Sequence, residues 1–259
     1  MPTALITGAS SGLGEQFAYA LGREHYDLVL AARREDRLAA VAGRARTIGA
    51  GAVRTIHADL GQRETPTALH GQLTDDGVHV DYLVNNAGFG TSGKFHLMPL
   101  VRELEQVELN ATSLLTLTRL FLPAMVERRR GTIINVASTA AFQPTPYLAV
   151  YGATKAFVLS FTEALAAEVK GTGVAVMALC PGPVHTEFQM VLNIKRSRLP
   201  SFLFIEAEQV VDAALEAAAS GSSVRVVGVI NNLLMLASKL APRCLTVQIS
   251  SMLLRPSSA

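Results

Sequence analysis

The sequence predicts an α/β fold: a doubly wound, mostly parallel seven-stranded sheet with helices on both faces. Three observations carry this expectation. Short apolar runs alternate with longer amphipathic segments, the pattern of βαβ units. Several of the runs are apolar at nearly every position, as strands covered on both faces are. A glycine-rich turn closes the first run and opens the first helical segment.

The elements follow in order. Ala4–Ile6 reads as a strand and Leu13–Glu24, apolar at helical spacing, as the helix after it. The same alternation pairs Leu28–Ala31 with Arg34–Ile48, Val53–Ile56 with Pro66–Asp75, Tyr82–Val84 with Arg102–Arg128, and Thr132–Ala137 with Ala149–Val169. Val174–Leu179 is followed by an irregular stretch, Pro181 to Glu206, then by a helix over Glu208–Ala219 and a last strand over Val224–Val229. Long loops in compact domains tend to be lids or binding segments, so residues 187–206 are expected to cover a substrate. With no repeat and no linker-like break, one domain over 1–259 is expected, its residues 231–259 forming an apolar extension.

Composition narrows the function classes. Of 259 residues 49% are hydrophobic and 17% charged, which excludes a disordered chain. Lys and Arg number 23 against 21 Asp and Glu, so electrostatic binding of nucleic acid is not expected. Two cysteines, Cys180 and Cys244, cannot build a disulfide framework and point to a reducing, cytoplasmic setting. The start lacks the basic region of a secretory leader. The uncharged stretch Gly131 to Thr154 is interrupted by Gln143, Pro144 and Pro146, so it is not expected to span a membrane. Six histidines show no metal-ligand spacing.

The turn Thr7-Gly8-Ala9-Ser10-Ser11-Gly12-Leu13-Gly14 has the chemistry of a phosphate cradle. Glycines let the backbone turn tightly and approach a pyrophosphate, while the helix N-terminus offers amides and a positive dipole end. Its plain alternative is an ordinary tight turn. The second strand ends in Arg33 and Arg34 where an NAD site places an acid. A guanidinium grips a 2′-phosphate with parallel hydrogen bonds, so the pair favours NADP over NAD; otherwise both are solvated residues of the next helix. Tyr151 and Lys155 stand four apart on one helical face. A nearby ammonium is expected to lower the phenol's pKa and fit it for proton transfer. Ser138, at the end of the Thr132–Ala137 strand, is placed to hydrogen-bond a substrate carbonyl.

Taken together these motifs resemble the short-chain dehydrogenase/reductase family, in its single-domain, NADP-preferring, Rossmann-like branch. Thr7–Gly14 is similar to its T-G-x-x-x-G-x-G turn, Asp59-Leu60 to its acidic-apolar pair, and Asn85-Asn86-Ala87-Gly88 to its N-N-A-G signature. Asn110, Ser138, Tyr151 and Lys155 resemble its catalytic set, and Pro181-Gly182-Pro183-Val184-His185-Thr186 its P-G-x-V-x-T segment. The likeness covers residues 3 to about 230. It implies reduction of a ketone or aldehyde to an alcohol, or the reverse. Tyr151 is then general acid or base, Lys155 holds the nicotinamide ribose and lowers the Tyr151 pKa, and Ser138 polarises the carbonyl. Asn110 kinks its helix and positions a water. Gly8, Ser10, Ser11, Gly12, Leu13 and Gly14 cradle NADP(H), Arg33 and Arg34 meet its 2′-phosphate, and Asp59 and Leu60 border its adenine. Asn86, Ala87 and Gly88 line its ribose side; Pro181, Gly182, Val184 and Thr186 lie along the carboxamide. The resemblance also implies a homo-oligomer. The alternatives are an NAD-preferring alcohol dehydrogenase, or a catalytically silent NADP-binding regulator, which would lack Tyr151 or Lys155.

Other signals are set aside. The sequon Asn110-Ala111-Thr112 lies in an apolar helical stretch, Cys180 reads as packing, and Arg128–Arg130 as a helix end. His185 is a candidate pocket residue. The expected lid mixes Phe188, Met190, Val191, Leu192, Phe202, Leu203 and Phe204 with Lys195, Arg196 and Arg198, which suits a lipophilic substrate with an anionic group; the plain alternative is that its apolar residues only pack on the core. The tail from Asn231 carries Leu233, Leu234, Leu236, Leu240 and Leu245 among Lys239, Arg243 and Arg255. Covering the cleft, joining an oligomer and lying on a membrane are the three roles open to it; amphipathic helices pack on protein more often than on lipid.

Overall fold

The computed structural model describes residues 1–187 and 201–255. Strands β1 (Thr3–Thr7), β2 (Asp27–Ala32), β3 (Val53–His57), β4 (Tyr82–Asn85), β5 (Gly131–Val136), β6 (Val174–Cys180) and β7 (Val224–Val226) form one sheet among the described residues. Its order is β3-β2-β1-β4-β5-β6-β7, and every pairing is parallel. This is the doubly wound arrangement, Rossmann-like, with its topological switch between β1 and β4. Ligands of such sheets bind outside the carboxyl ends of the strands at that switch.

The helices are α1 (Gly12–Arg23), α2 (Glu35–Thr47), α3 (Thr65–Asp75), α4 (Leu100–Val107), α5 (Leu114–Glu127), α6 (Ala149–Glu168), α7 (Ala207–Ala219), α8 (Val229–Leu240) and α9 (Arg243–Leu254). The two-residue period of a strand sends alternate side chains to opposite faces, and β1 shows it. Ala4 and Ile6 join Phe17, Leu21, Leu38 and Val210 of α1, α2 and α7. Leu5 between them joins Leu73, Leu117, Phe121 and Met125 of α3 and α5. Leu5, Ile6, Leu30, Leu83 and Ile133 are fully buried, as a parallel sheet covered on both faces requires.

Two expected elements differ. The single helix over Arg102–Arg128 is three pieces: α4, a π-helical turn at Glu108–Ser113, and α5. Asn110, buried in that turn, spends its side chain on the neighbouring loop. Leu100–Glu127 is long and apolar enough to cross a bilayer by length and composition, yet its Leu117, Phe121 and Met125 pack into the core. The last strand stops at Val226, three residues early. The amide of Asn232 takes the carbonyl oxygens of Val226 and Gly228, and that of Asn231 takes Val227, so the chain turns into α8.

Of the expected lid, Phe188, Met190, Val191, Leu192, Lys195, Arg196 and Arg198 lie outside the described residues. Its two ends meet: Val184 bridges Ile205, and Ile205 N donates to Pro183 O at 3.0 Å. Met235 of α8 packs on the cluster formed by α6, β6 and β7, and Lys239 lies 5.0 Å from the ring centroid of Phe142. Leu254 of α9 packs against Leu148 and Tyr151.

Candidate active site

A cleft of about 610 Å³ opens at the carboxyl ends of the strands, at the switch point. Its walls gather most of the sequence-predicted residues: Gly8, Ser10, Ser11, Gly12, Leu13, Arg33, Arg34, Asp59, Leu60, Asn86, Ala87, Gly88, Ser138, Tyr151, Lys155, Pro181, Gly182, Val184 and Thr186. Gly14 and Asn110 are not on its walls. His185 is not there either; it is half-exposed, stacked on Phe204 with ring centroids 4.9 Å apart and 3.8 Å from Glu206.

The turn is built from two directions. Gly8 and Gly12 sit at φ +64° and +60°, in the left-handed region. A Cβ on Gly14 would come within 2.3 Å of the Gly8 oxygen, so Gly14 shapes the turn from behind and does not border the cleft. Thr7 Oγ1 accepts from the amides of Asn86 and Ala87 at 3.0 and 3.1 Å and donates to Val84 O. Asn86 Nδ2 donates to Thr7 O at 2.9 Å and to Gly8 O at 3.3 Å. The side chain of Asn86 thus bolts the end of β4 to the turn.

Arg34 lies across the mouth of this turn. Its guanidinium donates to Ser10 Oγ at 3.2 Å and Ser11 Oγ at 2.6 Å. Ser11, the N-cap of α1, makes no side-chain cap bond of its own. Arg34 also pairs with Glu187 at 3.0 Å, and Arg37 pairs with the other Glu187 oxygen at 2.6 Å. Hydrogen bonds from Arg34 and Arg37 hold the Glu187 carboxyl below its usual range. Arg37 was missed in the sequence, and Glu187 entered it only as the first residue of the expected lid. Arg37 lies in the first turn of α2, three residues after its N-cap Arg34; Glu187 directly follows the Thr186 motif.

At the other end Ser138 caps a short 3-10 helix, Thr139–Phe142, and its hydroxyl accepts from Ala140 N at 3.1 Å. Tyr151 and Lys155, both buried on α6, face it. Lys155 Nζ donates to Val136 O at 2.8 Å and stands 5.9 Å from the Tyr151 ring centroid. The expected lowering of the tyrosine by this ammonium is corrected here. Burial pushes the Tyr151 phenol up to about 12, against a downward pull from a hydrogen bond with Ser138. Burial likewise lowers Lys155 to about 8. At Tyr151 desolvation outweighs the Ser138 hydrogen bond.

Asn110 stands behind this pair. It donates to Phe89 O at 2.8 Å and Thr154 Oγ1 at 3.2 Å and accepts from Phe89 N at 3.1 Å. It therefore ties the π-helical turn to the loop after β4 and to α6; fully buried, it offers no sequon to solvent. Cys180 is fully buried and its thiol is pushed up to about 12 by burial, so it packs. Arg128 donates to Val80 O and Arg130 pairs with Asp81 at 3.6 Å, making that basic run a helix end. Phe89, Arg102, Leu109, Leu148 and Phe204 also line the cleft.

This arrangement places the chain in a family. The short chain dehydrogenase family model matches residues 2–197. A ketoacyl reductase, HetN, from a Nostoc species is 36% identical over 182 residues, 70% of this chain and 63% of that one. A short chain dehydrogenase from Pseudocercospora fijiensis is 35% identical over 71% of this chain and 60% of its own length. The chain thus spans about three fifths of both relatives. Among solved structures, a Sphingobium yanoikuyae short-chain dehydrogenase in complex with NADPH superposes with a TM-score of 0.82 at 35% identity, covering 92% of each chain. A bulky-bulky ketone specific alcohol dehydrogenase from Comamonas testosteroni gives 0.77 at 32% identity, again over 92% of each. The chain belongs to the short-chain dehydrogenase/reductase family of oxidoreductases.

Proposed function

We propose that this protein is an NADPH-dependent carbonyl reductase, reducing a lipophilic ketone or aldehyde to its alcohol or running the reverse. One observation carries it: the glycine turn, the arginine pair and the Ser138–Tyr151–Lys155 set line a single cleft at the sheet's switch point. The cleft fits a dinucleotide along its length. The left-handed Gly8 and Gly12 bring backbone to its middle. Arg34, with Ser10 and Ser11, forms an anion site at one end. Pro181, Gly182, Val184 and Thr186 stand with Tyr151 at the other. When bound, NADPH supplies the hydride.

The chain's own residues do the rest. Arg33 and Arg34 hold the 2′-phosphate by charge-assisted hydrogen bonds; Asp59 and Leu60 border the adenine. Ala87 and Gly88 line the ribose side, and Asn86 fixes the turn that carries them. Ser138 hydrogen-bonds the substrate oxygen and Tyr151 gives it the proton. Burial holds its pKa high, which keeps that proton on the phenol for transfer. Lys155, fixed on Val136 O, meets the ribose hydroxyls. Asn110 is a positioning residue that holds Phe89 and Thr154. Residues 1–259 act as one dinucleotide-binding domain, with residues 187–206 assigned as its substrate lid.

The lipophilic substrate rests on Phe89, Leu109, Leu148 and Phe204 in the walls, and Arg102, 4.6 Å from the Phe89 ring centroid, suits an anionic end. Self-association falls to α4, where exposed Leu100, Val101 and Leu104 are interleaved with Arg102 and Glu105. The test follows NADPH consumption against short neutral ketones and long 3-oxoacyl thioesters, with NADH in parallel. Consumption of NADPH that rises with chain length is expected; equal use of short and long substrates refutes the lipophilic assignment, and use of NADH alone refutes the cofactor.

A further inference from the structure

We propose that α8 and α9 seat the protein on a bilayer surface rich in anionic headgroups. Helix α9 is inside out. Thr246 and Ser250, one turn apart, are buried, while Leu245, Ile249 and Met252 are 45%, 49% and 74% exposed. Helix α8 repeats the pattern: polar Asn231 is buried and Leu233, Leu236 and Leu240 are 61%, 50% and 79% exposed. Scattered surface leucines are ordinary, but two consecutive helices facing their apolar sides outward mark an interaction surface.

Charge selects the occupant. After Glu216 the sequence contains no Asp or Glu, while Arg225, Lys239, Arg243 and Arg255 remain. A helix pair with an apolar face and only cationic flanks has the make-up of an interfacial membrane segment, and anionic lipid attracts such basic segments. A second copy fits less well. A two-fold interface sets a patch against itself, so these cations would meet cations, with no Asp or Glu on either helix to pair them. Helix α4 differs in carrying both signs beside its exposed leucines, which suits self-pairing. The docked helices also flank the cleft, since Leu254 packs on Leu148 and Tyr151. If the proposed reaction holds, a lipophilic substrate then reaches Tyr151 from the lipid; that step rests on the reaction, the docking does not.

The experiment is vesicle flotation of the full chain at physiological salt, with phosphatidylcholine alone and with phosphatidylcholine mixed with phosphatidylglycerol. The wild type is expected to float with the mixed vesicles at least about tenfold more than with the neutral ones. The double variant Leu240→Ser, Met252→Ser is expected to lose most of that binding, and Arg243→Glu to lose the preference for anionic lipid. Both positions of the double variant are at the surface, so its thermal melt and its NADPH affinity should match the wild type. Failure to float, or equal binding to neutral vesicles, overturns the proposal. So does a concentration-dependent dimer that the double variant dissolves while no vesicle binds. Flotation needs no turnover, so an inactive but floating protein would refute the reaction and leave the docking standing.

Discussion

Leu30 in β2 and Leu240 in α8 are the same side chain in opposite positions, 0% and 79% exposed. The first belongs to the sheet that carries the cleft, the second to the helices that flank it. In the sheet apolar residues point inward on both faces, and the two asparagines that interrupt them donate to neighbours inside the core. Asn85 of β4 donates to Asn135 of β5 at 2.9 Å and to Thr118 of α5 at 3.0 Å, and Asn135 donates to Thr162 of α6. In the C-terminal helices the rule is inverted at most positions: Asn231, Thr246 and Ser250 go in, and the leucines other than Leu254 go out. Hydrophobicity alone therefore does not locate the core; what surrounds each apolar residue does, and the cleft lies between the two regimes.

The largest expected effect lies at the chemistry. Tyr151→Phe should lower turnover by about 10²–10⁴-fold while NADPH binding, read by nicotinamide fluorescence, is kept. Retained turnover would place the proton donor elsewhere. Next, truncating the two leucines should separate the regions in a thermal or denaturant melt. Leu30→Ala should cost about 2–5 kcal/mol, whereas Leu240→Ser should stay within about 0.5 kcal/mol. Comparable losses at both would mean the tail is core after all.

A third effect is pH-dependent. Lys155 titrates near 8 in the folded chain against 10.5 unfolded, so between those values the unfolded state binds more protons. Stability from this group is lowest below pH 8 and rises through that window. Tyr151, raised from 10.0 to about 12, works the other way, its contribution falling as pH climbs from 10 to 12. Denaturant melts from pH 7 to 10 should show the rise in the wild type and a flattened profile in Lys155→Met; identical profiles would contradict a desolvated lysine. The smallest effect is at the surface clasp. Glu187→Gln removes a carboxylate from Arg34 and Arg37, and exposed pairs are worth about 0.2–1 kcal/mol. The preference for NADPH over NADH should rise by about two- to five-fold, and a fall would show that Glu187 helps to hold the cofactor.

Much of this was legible in the sequence because it is local. Apart from the last strand and the broken helix before β5, the strands and helices of the sheet fall within a residue or two of their apolar runs, and the glycine turn, Ser138, Tyr151 and Lys155 stand in motifs that fold into one place. What was not legible depends on partners distant in the chain. The shift of Tyr151 follows from burial, which spacing does not reveal. The Arg34–Glu187 pair joins residues 153 apart, and the break at Glu108–Ser113 is tied to the loop at Phe89. The tail's apolar content was visible as composition, but its outward direction was not, since a helical period fixes a stripe and not the side it faces.

The most direct measurement is a fluorescence titration of the purified chain with NADPH and with NADH, repeated on Arg34→Ala. Charge-assisted hydrogen bonds contribute about 1.5–3 kcal/mol, so NADPH should bind at least about tenfold tighter than NADH, and Arg34→Ala should erase most of that difference. Equal or tighter binding of NADH, or a preference for NADPH that survives in Arg34→Ala, would contradict the assignment of this cleft.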